Sequence, residues 1–282
     1  MTYSGSFDPA NPATGRSVVA GGLRTHYLEV GSGDPLVLLH GSGPGVSAWE
    51  NWAGVIPQLA SRRRVIAPDL PGFGATERKA DGDYTMAFWV DHLLAFLDAL
   101  NISATSIVGN SFGGMLAMAT AIRAPQRIHR LVLMGSAAGD VPMSEVHKLG
   151  SRYDGSREQL EYILRHFPYD PGVVDAAMVD RRHAASVLPA AQSSPHPVPT
   201  VVKDDGERVF RMSSEEQLAQ IEAPTLILHG RDDKVLPLEL AIRLHRAIGP
   251  SQMHAFGQCG HWVQIERRDE FVMQVLEFVD GA

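Results

Sequence analysis

Short apolar runs alternate with longer amphipathic stretches along most of the chain. RTHYLEV (24–30), PLVLLH (35–40), RVIAPD (64–69), TSIVGN (105–110), RLVLMG (130–135), PTLILHG (224–230) and MHAFG (253–257) have the length and aliphatic content of strands. Between them, 86–100, 115–125, 237–249 and 269–280 place apolar residues at helical spacing. Strand then helix, repeated, predicts an α/β fold with a mostly parallel sheet and helices on both faces. The alternation breaks at 138–223, where EQLEYILRHF (158–167) and VVDAAMVDRRHAASVL (173–188) read as helices and SSPHPVPTVV (193–202) as a Pro-rich loop. That stretch offers no convincing buried strand. It is expected to be a helical lid inserted into a core formed by 1–137 and 224–282, over the carboxyl ends of the strands where α/β sheets bind ligands.

Composition narrows the classes. With 282 residues and 44% apolar content the chain can fill a large core. A net charge of −7 without a Lys/Arg block disfavours nucleic acid, leaving a small molecule as the expected partner. The single cysteine, Cys259, rules out an intramolecular disulfide and fits a cytoplasmic protein. No apolar run has the length of a membrane span, and MTYSGSFDPANPATG lacks the basic start and apolar stretch of a secretory leader.

Candidate chemistry begins at GNSFGG, where Gly109, Ser111 and Gly113 match G-x-S-x-G at a predicted strand-to-helix turn. A nucleophilic serine needs a base, and the base an orienting acid. Both follow in the order Ser, Asp, His: RDDKVLP comes after PTLILHG, and QCGHW after MHAFG. His261 is the one histidine of twelve in a Gly-flanked loop past the last strand. Asp232 and Asp233 compete for the acid, Asp233 being favoured by the elbow-fold layout with Pro237 opening the next helix. The loop HGSGPGVSAW (40–49) lacks the lysine of a Walker loop, and Val46 stands where a dinucleotide fingerprint wants a small residue. It therefore reads as the oxyanion loop, with Ser42 and Phe112 supplying backbone N–H groups. No cofactor is expected, and no metal, since ligand-type spacing is lacking. Cys259 lacks an elbow and reads as a packed small hydrophobe.

With HGSGPGVSAWENW, GNSFGG, GRDDKVLP and CGHW in that order, the chain resembles the meta-cleavage product hydrolases of aromatic degradation. The resemblance implies an α/β-hydrolase fold with an eight-stranded sheet and hydrolysis of a carbon–carbon bond in a 2-hydroxy-6-oxohexa-2,4-dienoate. It puts Gly43, Asn51, Asn110 and Trp262 around the substrate, with a lid arginine on its carboxylate. Arg182 is preferred to Arg181 by fit to the family's pattern, although His183 stands where an aromatic is usual. It also implies a homo-oligomer. A carboxylesterase using the same Ser111, Asp233 and His261, or a non-catalytic receptor on the same fold, are the rival readings.

Overall fold

A computed structural model describes residues 7–80, 82–188, 200–206 and 208–281. Its strands are β1 (Arg16–Ala20), β2 (Leu23–Val30), β3 (Pro35–Leu39), β4 (Arg64–Pro68), β5 (Thr105–Asn110), β6 (Ile128–Met134), β7 (Asp140–Pro142), β8 (Thr200–Val202), β9 (Arg208–Arg211), β10 (Thr225–Gly230) and β11 (Ser251–Phe256). The helices are α1 (Ala48–Trp52), α2 (Ile56–Leu59), α3 (Met86–Ala99), α4 (Phe112–Arg123), α5 (Glu145–Gly150), α6 (Arg157–Leu164), α7 (Ala176–Ser186), α8 (Glu215–Leu218), α9 (Leu238–Ala247), α10 (Val263–Glu266) and α11 (Arg268–Asp280).

Eight strands form one sheet in the order β1-β2-β4-β3-β5-β6-β10-β11. The first two pairings are antiparallel; from β4 to β11 along that order the strands run parallel. Alternate residues of each central strand face opposite sides, as a two-residue period requires. Val37, Leu39, Ile107, Leu131 and Leu133 pack with Trp89, Phe96, Phe112 and Leu116 of α3 and α4. Leu36, Leu38, Val108 and Val132 pack with Trp52, Ile56, Phe271 and Val275 of α1, α2 and α11. A sheet covered on both faces explains why these strands read as unbroken apolar runs.

Strand order reverses at β3, whose neighbours are β4 on one side and β5 on the other. Loops leaving β3 and β5 therefore diverge there and open a crevice beyond the strand ends. The eighth strand is β1, RSVVA, which the apolar pattern misses because it is an edge strand with Arg16, Ser17 and Val19 exposed.

The expectation of no buried strand within 138–223 is overturned. β7, β9 and β8 form a separate three-stranded antiparallel sheet, with Val141, Val209 and Phe210 buried. Its strands have three or four residues, too few to show an alternation. A small apolar cluster of Leu160, Leu164, Val174 and Val179 packs α6 and α7 around Trp262. Residues 193–199 of the Pro-rich loop lie outside the described residues, and its last three, Thr200–Val202, form β8 instead of loop.

Candidate active site

Ser111 sits between the last residue of β5 and the first of α4, with φ 51° and ψ −114°. A non-glycine residue there carries strain of order 1–3 kcal/mol, which the packing around it must hold. Its N–H donates to the Met134 carbonyl at 2.8 Å. Gly113 is required by close approach: a Cβ would stand 2.2 Å from the Leu39 carbonyl oxygen. The turn thus presses directly on the end of β3.

Asp233 lies three residues past β10, and its carboxylate is saturated. Oδ1 accepts from the N–H groups of Val235 (2.7 Å) and Leu236 (2.9 Å), and Oδ2 accepts from His261 Nδ1 at 2.7 Å. Burial opposes ionisation of this carboxyl, but the His261 and His229 rings and the Leu236 N–H together outweigh it and hold Asp233 below its ordinary value. With Nδ1–H committed to Asp233, the Nε2 of neutral His261 is the basic nitrogen. Asp233 and His261 are buried while Ser111 is partly exposed. Asp232 is turned away, accepting from Gln258 N (2.9 Å) and Arg231 Nη2 (3.3 Å) in a surface loop.

Gly41, Ser42, Val46, Asn51, Asn110, Ser111, Phe167, Arg182, His261 and Trp262 line one narrow cleft. A wider surface groove beside Tyr169, Arg231 and Lys234 contains neither Ser111 nor His261. Size alone therefore does not mark the reacting site. Phe112 is the first residue of α4, so its N–H is among the four that a helix leaves without an internal acceptor. The loop after β3 is fixed from beneath: His40 donates from Nδ1 to the Gly41 carbonyl (2.7 Å) and accepts at Nε2 from Leu70 N–H (2.9 Å). Burial keeps the His40 ring neutral, its pKa lowered. Asp69, also buried, accepts from Ala48 N–H at 2.7 Å, the first residue of the helix carrying Asn51.

Both arginines come from α7, but only Arg182 enters the cleft. Arg181 pairs with Glu50 at 2.9 Å over the Trp49 ring. Arg182 is 6% exposed, and its guanidinium donates to one neutral acceptor, the Pro44 carbonyl, at 3.2 and 3.0 Å. Burial lowers it to about 10, with Glu50 opposing from a distance. Its guanidinium lies 5.9 Å from the Trp262 ring centre, and a Cβ on Gly43 would stand 3.5 Å from Nη2. The glycines of the loop serve this packing too: at Gly45, φ 66°, a Cβ would meet the Arg182 carbonyl oxygen at 2.0 Å.

Asn110 donates from Nδ2 to the Met134 carbonyl at 3.3 Å, and Asn51 Nδ2 is buried with no partner among the described residues. Burial pushes the Cys259 thiol up to about 12, which suppresses the thiolate a nucleophile needs. Among the described residues no group of three or more His, Cys, Asp or Glu is placed to hold a metal, and no helix is long and apolar enough to cross a membrane.

Sequence patterns did not point to His229 or Glu266. His229, four residues before Asp233, is fully buried, donates from Nε2 to the Leu236 carbonyl (2.8 Å) and stands 3.5 Å from Asp233 Oδ2. It lies on a strand pattern that any packed residue would fit. Glu266 falls in a charged run, ERRDE, that reads as a solvated face.

Residues 34–268 match the profile of the α/β-hydrolase fold family. The chain is 44% identical to a 2-hydroxy-6-oxo-2,4-heptadienoate hydrolase of Pseudomonas putida, covering 95% of this chain and 97% of that one. It is 43% identical to a 2-hydroxymuconate semialdehyde hydrolase of a Pseudomonas species, covering 96% of each. The solved structure of a meta-cleavage product hydrolase from Pseudomonas fluorescens, complexed with acetates, superposes with a TM-score of 0.86 at 41% identity, over 94% of this chain and 97% of that one. By fold, by site geometry and by these likenesses, the chain belongs to the meta-cleavage product hydrolases of the α/β-hydrolase family.

Proposed function

We propose that this protein hydrolyses the C5–C6 bond of a 2-hydroxy-6-oxohexa-2,4-dienoate, with Ser111, Asp233 and His261 as its catalytic residues. The observation that carries the reading is the buried Arg182, held in the same cleft as Ser111 and His261 with its guanidinium bonded to a neutral carbonyl. A buried cation is costly unless an anion completes it. The substrate's C1 carboxylate is that anion, taken in a two-point contact. A neutral ester has no such group, which favours the dienoate over the carboxylesterase reading.

With the carboxylate on Arg182, the chain extends past Asn110 and Asn51 toward Ser111. His261, oriented by Asp233, moves a proton from the 2-hydroxyl to C5, giving a 2,6-dioxo form in which the departing carbon is stabilised as a dienolate. Water, activated directly by His261 or through Ser111, then adds to the C6 carbonyl. The N–H groups of Ser42 and Phe112 hold the resulting oxyanion, each worth about 3 kcal/mol in the transition state. Collapse breaks C5–C6, and the products are 2-hydroxypenta-2,4-dienoate and a carboxylic acid. Gly43 keeps the loop close to the Arg182 head, and Trp262 walls the cleft.

The C6 substituent is small, hydrogen or methyl. Support comes from Phe167 stacked on Trp262 at 5.0 Å, which narrows the cleft, and from the relatives at 43–44% identity, named for a semialdehyde and a heptadienoate. A relative named for the 6-phenyl substrate is 31% identical. Residues 138–223 form the lid over the core of 1–137 and 224–282, and the protein works in the cytoplasm as a homo-oligomer. Light scattering at the mass of one chain overturns the last point.

The test follows loss of the dienolate absorbance with methyl, isopropyl and phenyl substrates, and with Ser111→Ala as control. Turnover should be fastest with the methyl compound and fall at least about 10³-fold in the variant. No decay with any of the three compounds or with the C6-hydrogen semialdehyde sinks the proposal.

A further inference from the structure

Glu266 ends α10, five residues after His261, and its half-buried carboxylate accepts three backbone N–H groups. Oε1 takes Gly260 at 2.9 Å; Oε2 takes Tyr169 at 2.7 Å and Asp170 at 3.3 Å. Gly260 precedes His261 in the loop after β11, whereas Tyr169 and Asp170 belong to the inserted segment beyond α6. One side chain therefore joins the histidine loop to the insertion.

Other contacts converge on the same seam. The His261 N–H donates to the Phe167 carbonyl at 2.8 Å. A Cβ on Gly260 would stand 2.5 Å from that carbonyl oxygen and 2.6 Å from Tyr169 N, so the two backbones touch. Phe167 lies parallel to Trp262, interplanar angle 14°, and 5.6 Å from the His261 ring centre. Moving this turn moves one wall of the cleft and the backbone that aims the imidazole.

The chemistry of the clamp requires a carboxylate. Two segments present donors to the two oxygens separately, and an amide of the same size replaces one acceptor by an NH₂ that faces an N–H. Burial raises the Glu266 pKa while the Gly260, Tyr169 and Asp170 N–H groups oppose the rise and the Asp170 charge adds to it. The donors thus stabilise the ion they surround.

We propose that Glu266 is a positioning residue for His261, clamping the histidine loop to the inserted Phe167–Asp170 turn and thereby setting the imidazole's place over Ser111. This rests on the reading of Ser111, Asp233 and His261 as the reacting groups. A small displacement of a catalytic group costs turnover far more than it costs binding of a carboxylate held elsewhere by Arg182.

The experiment is Glu266→Gln in the full-length protein, read by steady-state kinetics and by amide hydrogen exchange. The expected result is a kcat lower by about tenfold or more, KM within about twofold, and faster exchange at Gly260, Tyr169 and Asp170. A kcat within about twofold of wild type, or unchanged exchange at those amides, overturns the proposal. If the variant does not fold, exchange in the wild-type protein decides. One common opening rate for the three amides supports a single clamp, and rates more than about tenfold apart overturn it. A wild-type protein without turnover would sink the proposed function but leave the exchange test of the clamp standing.

Discussion

Asp232 and Asp233 are neighbours in the chain, yet their carboxylates meet different surroundings. Asp233 faces inward onto two backbone N–H groups and the His261 ring; Asp232 caps a surface turn. Asp233→Asn should lower kcat by about 10⁴, because the imidazole would then be held as the wrong tautomer, while Asp232→Asn should stay within a few-fold. Dienolate absorbance decay measures both, and the reverse ranking would exchange the two roles. The arginines divide the same way. Arg182→Leu removes the cation proposed to take the substrate carboxylate and should raise KM on the order of 100-fold, whereas Arg181→Ala, which breaks a part-buried pair with Glu50 away from the cleft lining, should raise it less than about threefold. A dicarboxylate inhibitor titrated against both variants gives an independent reading.

At the scale of elements, the elbow is where packing dictates residue type most sharply. A methyl group on Gly113 would stand 2.2 Å from the Leu39 carbonyl oxygen and 2.7 Å from that of His40, and both belong to backbone that cannot step aside. Gly113→Ala should cost about 3 kcal/mol or more of unfolding free energy, seen as a lower urea midpoint at unchanged slope. A loss below about 1 kcal/mol would mean that β3 and α4 can separate, and with them the 40–49 loop and Ser111. The insertion is built differently. Its α6–α7 cluster around Trp262 is a small separate core, whereas Val141 and Phe210 of its short strands join the main core, so the wall of the cleft is held by that cluster and by the seam at Glu266.

Across the whole molecule, buried histidines set the acid limit of stability. His92 of α3 bonds through Nε2 to Thr25 Oγ1 of β2 at 2.9 Å, and burial lowers it to about 4. Below its ordinary value of 6.5 the unfolded chain binds a proton that folded His92 refuses. Stability is therefore full above that value and declines as pH falls toward 4, by about 3 kcal/mol at roughly 1.4 kcal/mol per pH unit. His40 and His229 are shifted in the same direction by burial and add to the decline. His92→Leu should remove its share: denaturation at about pH 7 and about pH 4.5 should show a smaller loss than wild type, and equal losses would refute it. Asp69 acts in a separate, lower window. Burial opposes its ionisation but His26, His40 and the Ala75 N–H overcome it, so its stabilisation is lost only as pH drops below the ordinary carboxylate value of 3.8.

Much of this was legible along the chain because its determinants are local. A two-sided sheet leaves continuous apolar strands, a strained turn leaves small residues around Ser111, and the triad's order follows the order of strands. Those signals lie close in sequence to the groups they identify, and from them come the α/β class, the proposed triad positions and the resemblance. Other facts exist only where distant segments meet. Which of Arg181 and Arg182 enters the cleft depends on how α7 seats against the 40–49 loop, 138 positions from Pro44 to Arg182. The β7-β9-β8 sheet joins strands too short to carry a period. Glu266 looks like one more charge in ERRDE until Tyr169, 97 positions away, delivers an N–H to it. Periodicity reports which face of an element is buried; it says nothing of the partner across the gap, and partnership decides what a buried charge is for.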